Sequence, residues 1–258
     1  MKIAEKDKAL LKDGERIDDI GFGGFRLIQN PTEFCYGIDS VLLADFVAER
    51  TGISLDTVVD MGTGTGVIPL ILCHKTNAQK IIGVELQESA YEKAVRNASM
   101  NCAEERVSFV LGDVNDVELG WGKGLKGKAD AVVSNPPYFK AGGGIRSEIT
   151  AKAAARHETT ATLWDFMKCA AYLLKARGEL FMVHRPSRLV DIFCLGRKAG
   201  LEAKEIRMIS PSKDETPNIL LVKLIKGGGS ELKILSPISV YDAKGNYTSD
   251  ILNIYERI

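Results

Sequence analysis

Short apolar runs and longer amphipathic stretches alternate through most of this chain. The runs that predict buried strands cover residues 57–60, 80–85, 107–111, 129–134 and 178–183. Helical stretches follow at residues 67–73, 89–100, 163–174 and 187–198, and an antiparallel pair at 201–208 and 218–226 closes the pattern. Strands that alternate with helices indicate an α/β fold. We therefore expect a seven-stranded, mostly parallel sheet with helices on both faces.

Two further segments flank this pattern. Residues 13–30 read as a hairpin, and Asp39 is a suitable N-cap for a helix over residues 41–49. Beyond a triple glycine at 227–229, the sequence predicts a short strand near Tyr241, a turn and a final helix. The expected division is an N-terminal hairpin and helix (1–50), a core (51–228) and a C-terminal extension of the same domain (229–258).

Composition narrows the class of protein. The 258 residues are 45% hydrophobic and 26% charged, and the formal net charge is zero, so no global field attracts nucleic acid. Five cysteines form no C-x-x-C pair, the N-terminus lacks a signal-peptide core, and no run could span a bilayer. The three histidines show no metal-ligand spacing. We expect a cytoplasmic protein with no metal site and no membrane contact.

A glycine-rich turn follows the first core strand. The strand ends at Asp60, and Gly62, Gly64 and Gly66 then alternate with other residues before a helix opens. Such a turn lets a ligand approach the backbone, and the helix directs free N–H groups toward it. The dinucleotide fingerprint would require Gly or Ala where Val67 stands, so an NAD site is disfavoured. A turn that serves only packing is the other interpretation.

Acidic residues end the next two strands. Glu85 lies 19 residues after Gly66, where a carboxylate can accept from both hydroxyls of a ribose. Asp113 ends the third strand, where it can accept from an adenine amino group while the Val114 N–H donates to the ring. Glu85 could instead simply end its strand, and Asp113 could cap a loop. Together with Asp60, however, they predict a binding site at the carboxyl edge of the sheet.

The fourth strand runs into Asn135, Pro136, Pro137 and Tyr138. The prolines restrict the backbone and fix where the Asn135 amide points, and Tyr138 offers a flat ring for stacking. A rigid loop without chemistry is the alternative. Residues 121–160 hold seven Lys and Arg against three Asp and Glu, a group that includes Lys140, Arg146, Lys152 and Arg156. This segment is either a solvated surface or a phosphate contact zone.

Read in order, these motifs resemble the class I S-adenosylmethionine (SAM) methyltransferases. The similarity is carried by Tyr36 to Asp39, Asp60 to Gly66, Glu85, Asp113 and the N-P-P-Y tetrad, and within the class it is closest to the bacterial tRNA1(Val) adenine-N6-methyltransferase family. The resemblance implies a Rossmann-like fold and SAM as the cofactor. It places the cofactor contacts at Tyr36, Gly37, Asp39, Asp60, Gly62, Gly64, Gly66, Glu85, Leu86, Asp113, Val114 and Asn135.

The activity implied by the resemblance is methylation of the exocyclic N6 of adenine in RNA, with tRNA preferred. Asn135 and the Pro136 carbonyl would accept hydrogen bonds from the target amine, and Tyr138 would clamp the flipped base. Lys140, Arg146, Lys152 and Arg156 would contact the RNA. Three alternatives stay open: a protein glutamine N5-methyltransferase, a methyltransferase for another nucleobase in rRNA or DNA, and a SAM-binding RNA-binding protein without catalysis.

Overall fold

The computed structural model describes residues 5–33, 35–51, 55–137 and 161–257. The helices are α1 (Glu5–Lys8), α2 (Ile38–Arg50), α3 (Val67–Lys75), α4 (Glu88–Met100), α5 (Leu163–Leu173), α6 (Leu189–Lys198) and α7 (Ser249–Ile254). The strands are β1 (Arg16–Asp19), β2 (Arg26–Gln29), β3 (Thr57–Met61), β4 (Lys80–Glu85), β5 (Val107–Leu111), β6 (Ala129–Ser134), β7 (Leu174–His184), β8 (Leu201–Ser212), β9 (Ile219–Lys226), β10 (Lys233–Ile234) and β11 (Ile238–Tyr241). Short 3-10 turns follow β5 and β7.

The main sheet has the order β10-β8-β9-β7-β6-β3-β4-β5, with β11 also paired to β8. Five neighbouring strands of this sheet are parallel, namely β7, β6, β3, β4 and β5. Strand β9 is antiparallel to both β7 and β8. The seven predicted strands are all present. Two short strands of the C-terminal segment, β10 and β11, add to β8 and bring the sheet to nine strands in the described part of the chain. The predicted strand near Tyr241 is β11, whereas β10 has only two residues and is too short to give a sequence pattern.

The chain reverses direction across the sheet between β3 and β6. It builds β3, β4 and β5 outward on one side, and then returns to place β6 against the other side of β3. Ligands of open α/β sheets bind in the crevice outside the carboxyl ends of the strands at such a switch point. This topology therefore predicts that the residues directly after β3 and β6 line a ligand site.

Apolar side chains cover both faces of the sheet and form two cores. Residues of α2, α3 and α7 pack on one face, where Val58 and Val133 are fully buried. Residues of α5 and α6 pack on the other face, against Val59 and Val132. Neighbouring strand residues point to opposite faces, so a strand buried on both sides needs a continuous apolar run. This requirement explains why the strand runs in the sequence show no alternation.

The hairpin of β1 and β2 is attached to the core by Asn97 of α4 and by Asn101, the C-cap of that helix. Asn97 Oδ1 accepts from the Ile28 N–H at 2.6 Å, and Asn101 Oδ1 accepts from the Arg26 N–H at 2.8 Å. At the other end of the chain, α7 packs against β11 and α2. Both flanking segments therefore reach the α2 side of the sheet.

Candidate active site

The carboxyl ends of β3 and β6 are joined directly. Met61 pairs with Ser134 in register, and the Ser134 hydroxyl donates to the Met61 carbonyl at 2.9 Å. The glycine turn leaves β3 at this point, and Asn135 with its two prolines leaves β6 beside it. The switch point thus brings together the two motifs that the sequence analysis singled out.

Each glycine of the turn adopts a left-handed conformation, with φ of 72° at Gly62, 57° at Gly64 and 83° at Gly66. A Cβ on Gly66 would lie 2.6 Å from the ring of Phe109, so this glycine is required for packing. A Cβ on Gly64 would meet no described atom within 4 Å. The turn is therefore packed on its inner side and open at Gly64, where a ligand can approach the backbone.

Asp60 is fully buried at the end of β3. Burial raises the pKa of its carboxyl to about 7; the nearby Thr63 hydroxyl opposes this rise and the Glu85 charge adds to it. Among the described residues, neither carboxylate oxygen has a hydrogen-bond partner, and neither does Thr63 Oγ1. Buried polar atoms are almost always satisfied. These three atoms fit a ligand that brings hydrogen-bond donors or positive charge to the glycine turn.

Glu85 closes the turn from the end of β4. Its Oε2 accepts from the Gly64 N–H at 2.8 Å and its Oε1 accepts from the Gln87 N–H at 2.8 Å. Burial raises the pKa of this carboxyl, and the backbone donors partly oppose the rise. Because each carboxylate oxygen can accept more than one hydrogen bond, Glu85 can hold the turn and still receive ligand hydroxyls. The neighbouring Leu86 is 41% exposed beside it.

Asp113 begins the 3-10 turn after β5. Its Oδ1 accepts from the Asn115 N–H at 2.8 Å, and its carbonyl accepts from Trp121 Nε1 at 2.7 Å. Val114 is buried beneath the turn. The capping interpretation of Asp113 is therefore correct. Contacts of Asp113 and Val114 with an adenine ring stay predictions.

Asn135 is tied to the first turn of α2. Its Nδ2 donates to Ser40 Oγ at 3.2 Å, and Ser40 is buried. The prediction that Asp39 caps this helix is wrong. Gly37 is the N-cap, with extended φ and ψ of −114° and 179°, and the helix begins at Ile38. Asp39 lies in the first turn instead, where a carboxylate interacts favourably with the helix dipole.

The segment before α2 is anchored to the hairpin. Gln29 Oε1 accepts from the Tyr36 N–H at 3.0 Å, and Gln29 Nε2 donates to Asp18 Oδ2 at 2.7 Å. Tyr36 is half-buried, and burial raises the pKa of its hydroxyl. The hairpin thus sets the position of Tyr36 and Gly37 at the carboxyl edge of the sheet.

Residues 26–190 match the family model described as methyltransferase small domain. The chain belongs to this methyltransferase family. A tRNA1(Val) (adenine(37)-N6)-methyltransferase of Porphyromonas gingivalis is 32% identical over 79% of this chain and 79% of its own. The protein of the same name from Dickeya chrysanthemi is 29% identical over 78% of this chain and 76% of its own.

Solved structures share the fold. A predicted O-methyltransferase from Agrobacterium tumefaciens superposes with a TM-score of 0.67 at 20% identity, covering 85% of this chain and 96% of its own. TYW2 of M. jannaschii, solved in complex with AdoMet, gives a TM-score of 0.57 at 19% identity and covers 84% and 88%. The predicted methyltransferase fold and the predicted SAM-dependent methyltransferase class are thereby confirmed.

The candidate site includes residues that the sequence pattern did not predict. Ser40 holds Asn135, and the Thr63 hydroxyl lies beside Asp60. Asn97 donates to the Thr65 carbonyl at 2.9 Å, which fixes the glycine turn to α4 and the hairpin. Ser40 stands directly after the Tyr36-to-Asp39 motif, and this adjacency could have pointed to it. The pattern carries no comparable signal for Asn97, an asparagine inside a predicted helix.

Five predicted site residues lie outside the described part of the chain: Tyr138, Lys140, Arg146, Lys152 and Arg156. Within the described ranges, no cluster of three or more His, Cys, Asp or Glu side chains could hold a metal ion. No helix among them is long and apolar enough to cross a bilayer.

Proposed function

We propose that this methyltransferase transfers the methyl group of SAM to the exocyclic N6 of an adenine in tRNA. The observation that carries the proposal is the position of Asn135 and Pro136, held between the glycine turn and the first turn of α2. The P. gingivalis and D. chrysanthemi relatives, named for adenine 37 of tRNA1(Val), support the choice of substrate.

The cofactor is assigned to the carboxyl edge of β3, β4 and β5. Asp60 and Thr63 supply buried polar atoms that have no hydrogen-bond partner among the described residues, Gly64 leaves the backbone open, and Glu85 and Asp113 lie at the ends of the adjacent strands. We assign Tyr36, Gly37, Asp39, Leu86 and Val114 to the same site by position. When bound, SAM supplies a methyl group already activated by its sulfonium. The protein therefore needs to position and prepare the nucleophile rather than activate the donor.

The nucleophile is the difficult part of the reaction. An aromatic amine delocalises its lone pair into the ring, which makes the nitrogen a weak nucleophile. Asn135 Oδ1 and the Pro136 carbonyl can accept hydrogen bonds from the two N–H bonds of the amine and localise that pair on the nitrogen. Asn135 Nδ2 donates to Ser40, and the acceptor oxygen Oδ1 stands on the other arm of the same amide group. Tyr138 is proposed to stack on the extruded base.

The remaining assignments belong to the same proposal. Lys140, Arg146, Lys152 and Arg156 would contact RNA phosphates close to the tetrad. The flanking segments 1–50 and 229–258 would pack on a core of 51–228 as one domain. We place the enzyme in the cytoplasm, where tRNA is modified.

The test is incubation of the protein with labelled SAM and, in parallel reactions, with total RNA, DNA and soluble protein from cells that lack the gene. Nucleoside mass spectrometry should find N6-methyladenosine in the tRNA fraction. Label in a different nucleoside, in rRNA or in DNA would overturn the choice of substrate. Label in protein glutamine would favour the N5-methyltransferase alternative. Binding of SAM and RNA without any transfer would favour the non-catalytic alternative.

A further inference from the structure

Four aromatic rings stack in a row on the α2 side of the sheet. The ring centroids of Tyr241 and Tyr247 lie 5.4 Å apart, those of Tyr247 and Tyr255 lie 5.9 Å apart, and those of Tyr255 and Phe22 lie 5.5 Å apart. The planes of successive rings differ by only 14° or 15°. We call these four residues the aromatic ladder. The four rings thus present near-parallel flat faces, as stacked bases do.

The aromatic ladder runs from the interior to the surface. Phe22 is fully buried in the turn of the hairpin, whereas Tyr241 is 41% exposed. The Arg257 guanidinium lies over the Tyr255 ring at 5.0 Å from its centroid. Arg257 is itself exposed, so it adds a cation beside the stack. The ladder thus has an exposed ring, Tyr241, at its outer end and an exposed cation, Arg257, over its third ring.

The outer end lies at the edge of the sheet that carries the candidate active site. Tyr241 ends β11 and pairs with Ser212 at the carboxyl end of β8. Because β8 and β7 are both antiparallel to β9, this end of β8 lies at the same edge as the end of β6. Tyr36 directly precedes the N-cap of α2, and Arg257 lies near enough to lower the pKa of its hydroxyl while Tyr247 raises it, although burial is the main cause of the raised pKa. The ladder therefore lies at the same edge of the sheet as the candidate site, on the side of Tyr36.

The outer rings are held rigidly. Tyr241 and Tyr247 form an antiparallel bridge, and the Asp242 N–H donates to the Asn246 carbonyl at 2.8 Å. The Asp242 carboxylate accepts from the N–H groups of Lys244 and Asn246 at 2.8 and 2.9 Å. These contacts close a tight turn between the two tyrosines. A preorganised ring loses little conformational freedom when a ligand stacks on it.

From this arrangement, and resting on the proposed function, we infer that Tyr241 receives an unpaired base that neighbours the target adenine in the RNA. Sequence-specific RNA recognition targets unpaired nucleotides, whose bases stack on aromatic side chains and Arg. An enzyme that extrudes one base from a loop leaves its neighbours unstacked. A base that stacks on the outer face of Tyr241 extends the aromatic ladder, and this contact compensates for the lost stacking. The C-terminal extension thereby takes part in substrate recognition.

The test measures binding of a fluorescein-labelled anticodon stem–loop of unmodified tRNA by anisotropy. Loss of one base–ring stack weakens binding about ten-fold or more, so Tyr241→Ala should raise the Kd by that factor. Stacking releases no counterions, so the slope of log K against log salt should stay that of the wild type. Tyr241→Phe keeps the ring and should restore most of the affinity. The matched control is Ile234→Ala, which removes a 71% exposed apolar side chain from the same C-terminal segment.

A double-mutant cycle identifies the base. Stem–loops with one abasic nucleotide at a time should include one that weakens wild-type binding about as much as Tyr241→Ala does. The same abasic site should cost nothing further in the variant, because the two changes remove one contact. If Tyr241→Ala lowers the melting temperature, Tyr241→Leu keeps apolar packing on Tyr247 without a ring and should show the same loss of RNA affinity.

Three results would overturn the inference. Wild-type RNA affinity in a folded Tyr241→Ala or Tyr241→Leu variant would make the ladder a packing device for α7. Additive losses at every abasic position would show that Tyr241 contacts no base. An equal loss in Ile234→Ala would indicate a general effect of surface substitution. If the wild type methylates the stem–loop in any of these cases, the proposed function stands and only the ladder assignment fails. A wild type that methylates no RNA removes both.

Discussion

The position of the Asn135 side chain is fixed by the two prolines that follow it and by the first turn of α2. Pro136 and Pro137 restrict the backbone after it, and Ser40 receives its amide nitrogen. If Asn135 only stiffened a loop, Asn135→Ala would leave turnover nearly intact, because the prolines remain. If its oxygen orients the target amine, the substitution should slow methyl transfer. The activation free energy should rise by at least about 3 kcal/mol, which is the scale of a lost oxyanion-hole donor. The measurement is a single-turnover rate at saturating SAM.

A SAM titration of the same variant is the control for Asn135→Ala. SAM affinity should fall much less than the rate, since the other proposed cofactor residues lie outside β6, and a loss in proportion to the rate would show that Asn135 acts mainly through the cofactor. Ser40→Ala is the graded companion. This substitution removes the hydroxyl that accepts from the Asn135 amide and should raise the activation free energy of methyl transfer by about 0.5–1.5 kcal/mol. A near-normal rate in Asn135→Ala would end the mechanism proposed here.

Glu85 tests the cofactor site. Glu85→Ala should weaken SAM binding by about 1.5–3 kcal/mol, the scale of a lost hydrogen bond to a charged group. Since Glu85 also accepts the Gly64 N–H, Glu85→Gln keeps an acceptor oxygen for the turn and should lose less. Calorimetric titration with SAM measures both variants. Unchanged affinity in Glu85→Ala would remove this residue from the ribose role.

Single residues were predictable from sequence where their role follows from chain position. Asp60, Glu85 and Asn135 lie at or next to the carboxyl end of a strand, and such ends are visible as the point where an apolar run meets a polar residue. Ser40 and Asn97 act through partners 95 and 69 residues away. Such partners are brought together only by the fold, so no local pattern identifies them.

Among the secondary-structure elements, β4 packs closely against the glycine turn at Gly83. Gly83 has an ordinary φ, but a Cβ there would lie 2.5 Å from Phe109 Cδ1 and 2.7 Å from Thr63 Oγ1. Gly83→Ala should therefore destabilise the protein by about 1–3 kcal/mol, as overpacking of a tight core does. Because Phe109 also packs under Gly66, SAM affinity should fall as well. Urea unfolding and a SAM titration measure the two effects.

Two companion variants isolate the steric cause at Gly83. Phe109→Leu in the Gly83→Ala background removes the ring atoms that clash and should recover part of the stability. Gly124→Ala is the matched control, because a Cβ there meets no described atom within 4 Å, and it should stay within about 0.5 kcal/mol of the wild type. Equal stability of Gly83→Ala and the wild type would contradict the packing argument.

The element boundaries differ from the prediction where capping and pairing decide them. The helix α2 begins at Ile38 because Gly37 is extended and ends the preceding segment, although Asp39 has the better capping side chain. The strand β7 begins at Leu174, four residues before the predicted start, because it pairs with β6 on one side. The start of β7 depends on its partner strand and the start of α2 on the backbone conformation of Gly37, and the pattern of apolar residues reports neither.

At the scale of the whole molecule, a neutral protein must bind RNA through a local field. The formal net charge is zero, yet residues 121–160 carry seven basic and three acidic side chains. Binding that neutralises phosphates gives log K a negative slope against log salt, about 0.7 per phosphate for a single strand. The overall charge does not supply this slope, so we expect the basic segment to supply most of it.

The prediction for this field concerns Lys152 and Arg156. Changing both to Gln should weaken binding of the unmodified stem–loop and reduce the salt slope by about two at most, while SAM affinity stays unchanged. The matched control changes Lys80 and Lys233, two exposed lysines; Lys80 begins β4 at the opposite edge of the sheet. It lowers the net charge equally and should leave the slope as it is. Anisotropy titrations over a range of salt concentrations give the slopes. A full slope in the first variant would make the segment a solvated surface, and equal reductions in both would mean that overall charge governs RNA binding.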